Sequence, residues 1–137
     1  MNTNEKGDIA ELKVALRARE MGMMVSRPMF DSARYDLILD DGIGLKRVQI
    51  KWAAGKSIQS EGSAYVELRR HNRKEGGQRV YQEGEVDLLI VYLPDVDKLC
   101  VFGPEMFVGK RGLSIRYKEA KNGQTKGCLM VEEYEWK

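Results

Sequence analysis

Asp36, Gln49 and Lys51 are the residues whose types and spacing most directly suggest chemistry. Gln49 and Lys51 lie in residues 45–52, an aliphatic and aromatic run that predicts a β-strand. Side chains alternate between the two faces of a strand, so these two share one face. Asp36 lies in a similar run at residues 35–39, and the Asp-Asp-Gly-Ile-Gly sequence between the runs is typical of a tight turn. The sequence therefore predicts a β-hairpin that brings together an acid, an amide and an amine.

These groups match what a divalent metal ion and a phosphate require. Oxygen ligands suit Mg²⁺, and a divalent cation stabilises the charge that develops when a phosphodiester is hydrolysed. Asp36 is the clearest candidate ligand, and the amide oxygen of Gln49 and the backbone carbonyl of Ile50 could add two more. Glu11 could bind directly, through water, or at a second metal. Lys51 could orient or deprotonate the attacking water, or stabilise the transition state.

Glu11 belongs to a predicted helix that runs from Glu5 to about Met21, with Asn4 as its N-terminal cap and Gly22 as its end. At helical spacing it shares a stripe with small residues, which are Gly7, Ala15, Ala18 and Gly22. A carboxylate in such a stripe points into a contact with a neighbouring element. We also expect Leu12 and Leu16, on the adjoining face, to be buried.

The rest of the chain alternates between strand patterns and turns. The elements predicted are an edge strand at residues 23–30, strands at 64–69, 87–92, 99–102 and 113–117, a short helix starting at Pro104, and a long surface loop over Arg70–Gly84. Residues 87–92 are the most apolar, and we expect them to lie centrally in the sheet. Residues 128–136 fit a helix or a strand equally well.

Length and composition bound the class of protein. A chain of 137 residues is expected to form one domain, residues 1–137, which buries about two-thirds of its unfolded surface. Cys100 and Cys128 match no metal-ligand spacing, which favours free thiols in a reducing compartment. No stretch has transmembrane length, and the first residues lack the apolar core of a signal peptide. We expect a cytoplasmic protein that is not associated with a membrane.

Basic residues cluster although the net charge is only +2, from 23 Lys and Arg against 21 Asp and Glu. The candidate DNA-binding residues are Lys56, Arg69, Arg70, His71, Arg73, Lys74 and Arg79, with Ser32 and Arg34 at the rim of the Asp36 site. A basic surface of this kind can bind phosphates and guanine edges. The alternative is a solvated loop with ordinary surface charge. A single His builds no metal site, so His71 is expected to face solvent or DNA.

Five segments of the chain resemble the PD-(D/E)XK nuclease superfamily. They are Lys6–Glu11, Arg34–Ile38, Arg47–Lys51, Val86–Pro94 and Val101–Pro104. The pattern is most similar to the branch of intron-encoded homing endonucleases, with archaeal Holliday-junction resolvases as more distant relatives. By pattern the resemblance covers about two-thirds of the chain.

The resemblance implies a restriction-endonuclease-like α/β (α+β) fold, in which helices flank a mixed central sheet. It also implies Mg²⁺-dependent cleavage of double-stranded DNA, with Mn²⁺ as a substitute and no nucleotide cofactor. Asp36 and Gln49 would be metal ligands, Lys51 the catalytic lysine and Glu11 an accessory acid. The chain departs from the family pattern in two places: Tyr35 replaces a proline, and Gln49 replaces the usual acid, which removes one negative charge beside the metal. The homing branch tolerates this glutamine.

Several functions remain open at this point. The first is a site-specific homing endonuclease, and a junction resolvase or a restriction or repair enzyme is an alternative within the same class. A DNA-binding module that has lost its chemistry is the competing class, motivated by Gln49, and a structural or protein-interaction role is the third. One active site of this kind cuts one strand, so double-strand cleavage predicts a homodimer. A long DNA target would favour a homotetramer, because one small module buries only about 600–1,000 Å².

Overall fold

The computed structural model describes residues 1–55, 62–72, 77–118 and 128–137. In chain order the elements are α1 (Thr3–Glu20), β1 (Met24–Ser26), β2 (Leu37–Asp40), β3 (Leu45–Trp52), β4 (Ser63–Glu67), β5 (Arg70–Asn72), β6 (Gly77–Arg79), β7 (Leu88–Leu93), β8 (Lys98–Phe102), α2 (Pro104–Phe107), β9 (Gly112–Arg116), β10 (Leu129–Met130) and α3 (Val131–Tyr134). The fold is mixed α+β, which confirms the predicted class.

Strand β3 lies at the centre of a five-stranded sheet with the order β1-β2-β3-β7-β8. It pairs antiparallel with β2 on one side, as the predicted hairpin requires, and parallel with β7 on the other. Strand β7 lies between β3 and β8, so its predicted interior position is confirmed. Strand β1 forms an edge and ends two residues before Pro28, as expected for a strand that a proline limits.

The alternation of side chains divides the core into two clusters, one on each face of this sheet. Ile90 and Tyr92 of β7 pack in the same cluster as Val48 and Ile50 of β3. Leu89 and the other alternate residues of β7 belong to the second cluster, with β4, β9 and α2. Because Val48 and Ile50 point to the α1 side, the period of two directs Gln49 and Lys51 to the opposite face.

Helix α1 forms where it was predicted, but it is capped and packed differently. Its N-cap is Asn2, whose side chain accepts a hydrogen bond from the Glu5 amide at 2.9 Å, so the expected cap at Asn4 was wrong. The buried face consists of Ala10, Val14 and Ala18, spaced by four residues. Leu12 and Leu16 are 65% and 61% exposed, which contradicts their expected burial. The small residues Ala10 and Ala18 bring the helix close to the sheet and turn these leucines outward.

The sequence suggested one long loop over Arg70–Gly84, but the described part of this segment contains two strands. Strands β5 and β6 pair antiparallel, with Arg70 opposite Arg79 and Asn72 opposite Gly77. The sequence did not predict these strands, because each has only three residues and the surrounding sequence is rich in glycine and charge. The other small sheet has the order β10-β9-β4. Residues 128–136, left open between helix and strand, contain both the two-residue β10 and the one-turn helix α3.

The described cysteines form no disulfide: Cys100 is buried and Cys128 is partly buried. Burial raises the pKa of the Cys100 thiol to about 12, so this thiol stays protonated and packs as a small apolar group. Within the described residues, no helix combines the length and apolar character needed to span a membrane.

Candidate active site at the Asp36 strand

The Asp36 carboxylate is fixed by the strand that carries the other candidate residues. Its Oδ2 accepts a hydrogen bond from Gln49 Nε2 and another from the backbone amide of Ile50, each at 2.8 Å. The Asp36 amide in turn donates to the Val48 carbonyl at 2.8 Å. These bonds follow from the hairpin register, which places the chain entering β2 beside Gln49. The predicted convergence of Asp36 with Gln49 is therefore present.

Glu11 joins this group from α1. Its side chain is only 21% exposed, and burial raises its pKa, with the negative charge of Asp36 as the next largest cause. Arg27, which follows β1, lies 4.0 Å from Glu11 Oε2 and acts in the opposite direction. Burial and the neighbouring carboxylate both disfavour the charged form of Glu11, and a cation bound beside the two acids would favour it.

Lys51 follows Gln49 on the same face of β3 and lies near β4. A hydrogen bond from Arg69 lowers the pKa of Glu67 on β4, and the charge of Lys51 lowers it further. Lys51 is thus electrostatically coupled to the sheet that faces it. The amine and the Asp36–Gln49 pair belong to one side of the central strand, as the period of two predicted.

The donor set fits a divalent cation. Carboxylates from Glu11 and Asp36, an amide oxygen from Gln49 and the Ile50 carbonyl are hard oxygen groups of the kind that Mg²⁺ prefers. The described residues contain no cluster of three or more His, Cys, Asp or Glu that could bind a metal. Gln49 is neutral, and its amide nitrogen is turned toward Asp36. Rotation of the amide group would present Oε1 to a cation instead.

The candidate DNA-binding residues are found in different environments. Arg34 Nη1 and Arg79 Nη2 both donate to the carboxylate of Glu85, and Arg69 Nε donates to Glu67 Oε1 at 2.7 Å. Ser32 is exposed in the turn before Asp36. The backbones of Arg70 and His71 lie in β5. Lys56, Arg73 and Lys74 lie outside the described residues.

Comparison with known proteins decides the family. A family model described as PD-(D/E)XK endonuclease matches residues 1–137. The chain belongs to the PD-(D/E)XK endonuclease family. No protein with a curated description matches it.

Two solved structures resemble this endonuclease to different degrees. The bacterial homing endonuclease I-Ssp6803I is 26% identical with a TM-score of 0.80, and the match covers 98% of this chain and 89% of that one. Hjc, a Holliday junction resolvase of Archaeoglobus fulgidus, is 15% identical with a TM-score of 0.47, and the match covers 93% and 94% of the two chains. Only the first likeness is strong enough to support an argument about the fold.

Two residues of this PD-(D/E)XK endonuclease escaped the sequence analysis. By pattern, Arg27 falls in a predicted strand and Glu85 has no predicted role. Each nevertheless contacts a candidate site residue. Their partners lie 16 and 51 positions away, in Glu11 and Arg34 respectively. The available signal for Glu85 was weak: it is an acid that follows a strongly basic segment.

Proposed function

We propose that this PD-(D/E)XK endonuclease is a Mg²⁺-dependent, site-specific enzyme that hydrolyses double-stranded DNA in the manner of a homing endonuclease. The observation that carries the proposal is the hydrogen bond of 2.8 Å between Gln49 and Asp36, together with Glu11, whose pKa is raised by burial and, second, by the charge of Asp36. The strong likeness to a homing endonuclease supports the specific role.

Each residue has a distinct task in this proposal. Asp36, Gln49 and the Ile50 carbonyl would hold Mg²⁺ or Mn²⁺, and Glu11 would complete the set directly or through water. The bound cation would stabilise charge on the phosphate and make water nucleophilic near neutral pH. Lys51 would place its ammonium group against the reacting phosphate or, as the neutral amine, accept a proton from the attacking water.

DNA binding and assembly belong to the same proposal. Ser32, Arg34 and the basic residues from Lys56 to Arg79 would contact the duplex, with arginines divided between phosphates and guanine edges. Cleavage of both strands needs two active sites, so we propose a homodimer as the minimum and a homotetramer for a long target. Light scattering at working concentration tests this part, and a monomer in the presence of DNA would contradict it.

The experiment is a cleavage assay on plasmid and long mixed-sequence DNA with Mg²⁺, Mn²⁺, Ca²⁺ or EDTA. We expect discrete fragments with Mg²⁺ or Mn²⁺ and none with EDTA. Lys51→Ala should abolish cutting, whereas Lys46→Ala, an exposed lysine on the same strand, should retain it. Equal cleavage by both variants would mean that another site or a contaminant cuts the DNA.

The neutral Gln49 favours one competing function, a DNA-binding module without chemistry. It predicts salt-sensitive binding to duplex DNA and no nicking with any metal. Metal-titration calorimetry with and without DNA separates the two, because only the enzyme should bind the cation more tightly when DNA is present. A four-way junction substrate in the same assay tests for a resolvase.

A further inference from the structure

The Glu85 carboxylate accepts hydrogen bonds from three residues, two of them in its own segment of the chain and one 51 positions away. Its Oε1 accepts hydrogen bonds from Arg79 Nη2 at 3.1 Å and from the Gln82 amide at 2.9 Å. Its Oε2 accepts from Arg34 Nη1. The Glu85 side chain is 12% exposed, against 41% for Arg34 and 24% for Arg79. The carboxylate is thus the enclosed part of the cluster, and the guanidinium groups are its outer part.

The cluster of Arg34, Arg79 and Glu85 connects the β5–β6 hairpin to the candidate active site. Arg79 is the last residue of β6, and Arg34 lies two residues before Asp36. Gly84 has a φ of 86°, a left-handed conformation that favours glycine, and it closes the turn that returns the carboxylate to the Gln82 amide. The Glu85 carboxylate is therefore held by this turn through a hydrogen bond that involves neither arginine.

The charges of the cluster suit a phosphate. Burial acts to raise the pKa of Glu85, but the Gln82 amide and the two guanidinium groups outweigh it, so the pKa lies below its usual range. Two arginines and one ionised acid leave a charge of one positive unit. A guanidinium group has five N–H donors, and Glu85 accepts a hydrogen bond from Nη1 of Arg34 and from Nη2 of Arg79, so each arginine has further donors for phosphate oxygens.

We propose that Glu85 is a positioning residue for DNA binding, which holds Arg34 and Arg79 together as one phosphate-binding pair beside the Asp36 strand. This inference rests on the proposed function, since it assumes that the chain binds duplex DNA. The proposal predicts a change in DNA affinity opposite to the one expected from net charge alone. Removing an acid from a basic surface should tighten DNA binding, whereas removing a positioning acid should weaken it, because the arginines lose their common orientation.

The test compares Glu85→Gln with Glu83→Gln, which removes the same charge from an exposed acid two residues away. Binding to duplex DNA is measured in Ca²⁺ over a range of salt concentrations, beside thermal melting of each variant. We expect Glu85→Gln to weaken binding about tenfold and to lower the slope of log Kd against log salt by about 0.9 for each lost phosphate contact. Glu83→Gln should bind as the wild type does, or slightly more tightly.

A double-mutant cycle shows whether Glu85 acts through the arginines. In an Arg34→Ala, Arg79→Ala background, Glu85→Gln should change the affinity by less than about twofold, because its effect is already lost. A tenfold loss that persists in this background would assign Glu85 a general structural role and overturn the proposal. If Glu85→Gln does not fold, Glu85→Asp is used: it keeps the charge, cannot reach all three donors, and should still weaken binding.

The outcomes also separate this inference from the function on which it rests. Wild-type protein that binds and cleaves DNA while Glu85→Gln binds as tightly as Glu83→Gln would refute the inference alone. Wild-type protein that binds no duplex DNA would refute both. In the cleavage assay, the loss in Glu85→Gln should appear in KM and leave kcat nearly unchanged, since the proposal assigns to the cluster a phosphate other than the one that reacts.

Discussion

The Asp36 site and the β5–β6 hairpin are held together in different ways. In the site, Asp36 is bonded to Gln49 and Ile50, whose positions follow from the register of one hairpin. The β5–β6 hairpin is connected to the site by two ion pairs of Glu85, one with Arg79, 6 positions away, and one with Arg34, 51 positions away. Backbone pairing repeats every two residues and can be read from a pattern, whereas an ion pair between distant side chains leaves no periodic signal. The proposed catalytic groups are therefore positioned by strand pairing, and the proposed DNA-binding arginines by ion pairs of long side chains.

The largest expected effect is a loss of DNA cleavage without a matching loss of DNA binding. Asp36→Asn should reduce cleavage on the order of 10³-fold, because it removes a charge from the proposed metal ligands and leaves the strand pairing intact. Duplex binding in Ca²⁺ should change much less. Single-turnover cleavage and a binding titration measure the two quantities.

Asp40→Asn is the matched control for that variant. It lies at the end of β2, the strand that follows Asp36, and loses the same charge. Asparagine can still accept the hydrogen bond that Asp40 Oδ1 takes from the Gly42 amide at 2.9 Å. If both variants cut DNA as the wild type does, the Asp36 site is not where cleavage occurs.

Substitutions in the basic segment Arg70–Lys74 should reduce DNA binding more than cleavage. Changing Arg70, Arg73 and Lys74 together to Gln should weaken duplex binding by about tenfold to hundredfold and flatten its salt dependence. Cleavage at saturating DNA should stay close to the wild-type rate. Lys6, Lys46 and Lys137, changed together to Gln, give a control of equal charge change elsewhere on the chain. Equal weakening in both triple variants would show that net charge, and not the hairpin segment, attracts DNA.

Gln49→Glu tests whether residue 49 is a metal ligand. The added carboxylate restores the acid of the family pattern, so the apparent affinity for Mg²⁺ should rise roughly tenfold, because ligand charge is a main determinant of cation affinity. Without metal the variant should melt at a lower temperature, since a third acid then faces Glu11 and Asp36. Calorimetric titration and melting curves with and without Mg²⁺ measure both effects. An unchanged metal affinity would remove Gln49 from the proposed ligand set.

The smallest expected effect concerns Asp87, which binds β7 to the central strand. It accepts hydrogen bonds from the Arg47 amide at 2.8 Å and from its guanidinium group at 3.1 and 3.2 Å. The hydrogen bond from Arg47 lowers the pKa of Asp87 in spite of partial burial. Because the folded-state pKa is depressed, the stabilisation is present above the unfolded value of about 3.9 and is lost as the pH falls through the folded value.

Thermal melting against pH tests this pair. Asp87→Asn should lower the melting temperature at pH 7 by about 3 °C, the effect of a pair worth on the order of 1 kcal/mol. The difference from the wild type should vanish near pH 2. Asp31→Asn, at an exposed position, serves as the control. A difference that is constant from pH 7 to pH 2 would show that packing, and not the charge of Asp87, is lost.

The sequence by itself determined the parts of this protein that depend on local periodicity. The alternation in residues 45–52 put Gln49 and Lys51 on one face, the Gly- and Asp-rich turn fixed the hairpin, and the motif spacing identified the family. The helix was also evident, because apolar and small residues recur at its period. These features follow from backbone geometry, which repeats along the chain.

Only the tertiary structure decided which helix face is buried and which acids meet which bases. Ala10, Val14 and Ala18 are buried while Leu12 and Leu16 are exposed, because close approach to the sheet favours small side chains over larger apolar ones. The Arg34–Glu85–Arg79 cluster likewise joins residues up to 51 positions apart. Side chains at such separations meet through the packing of whole elements, and their sequence positions carry no trace of it.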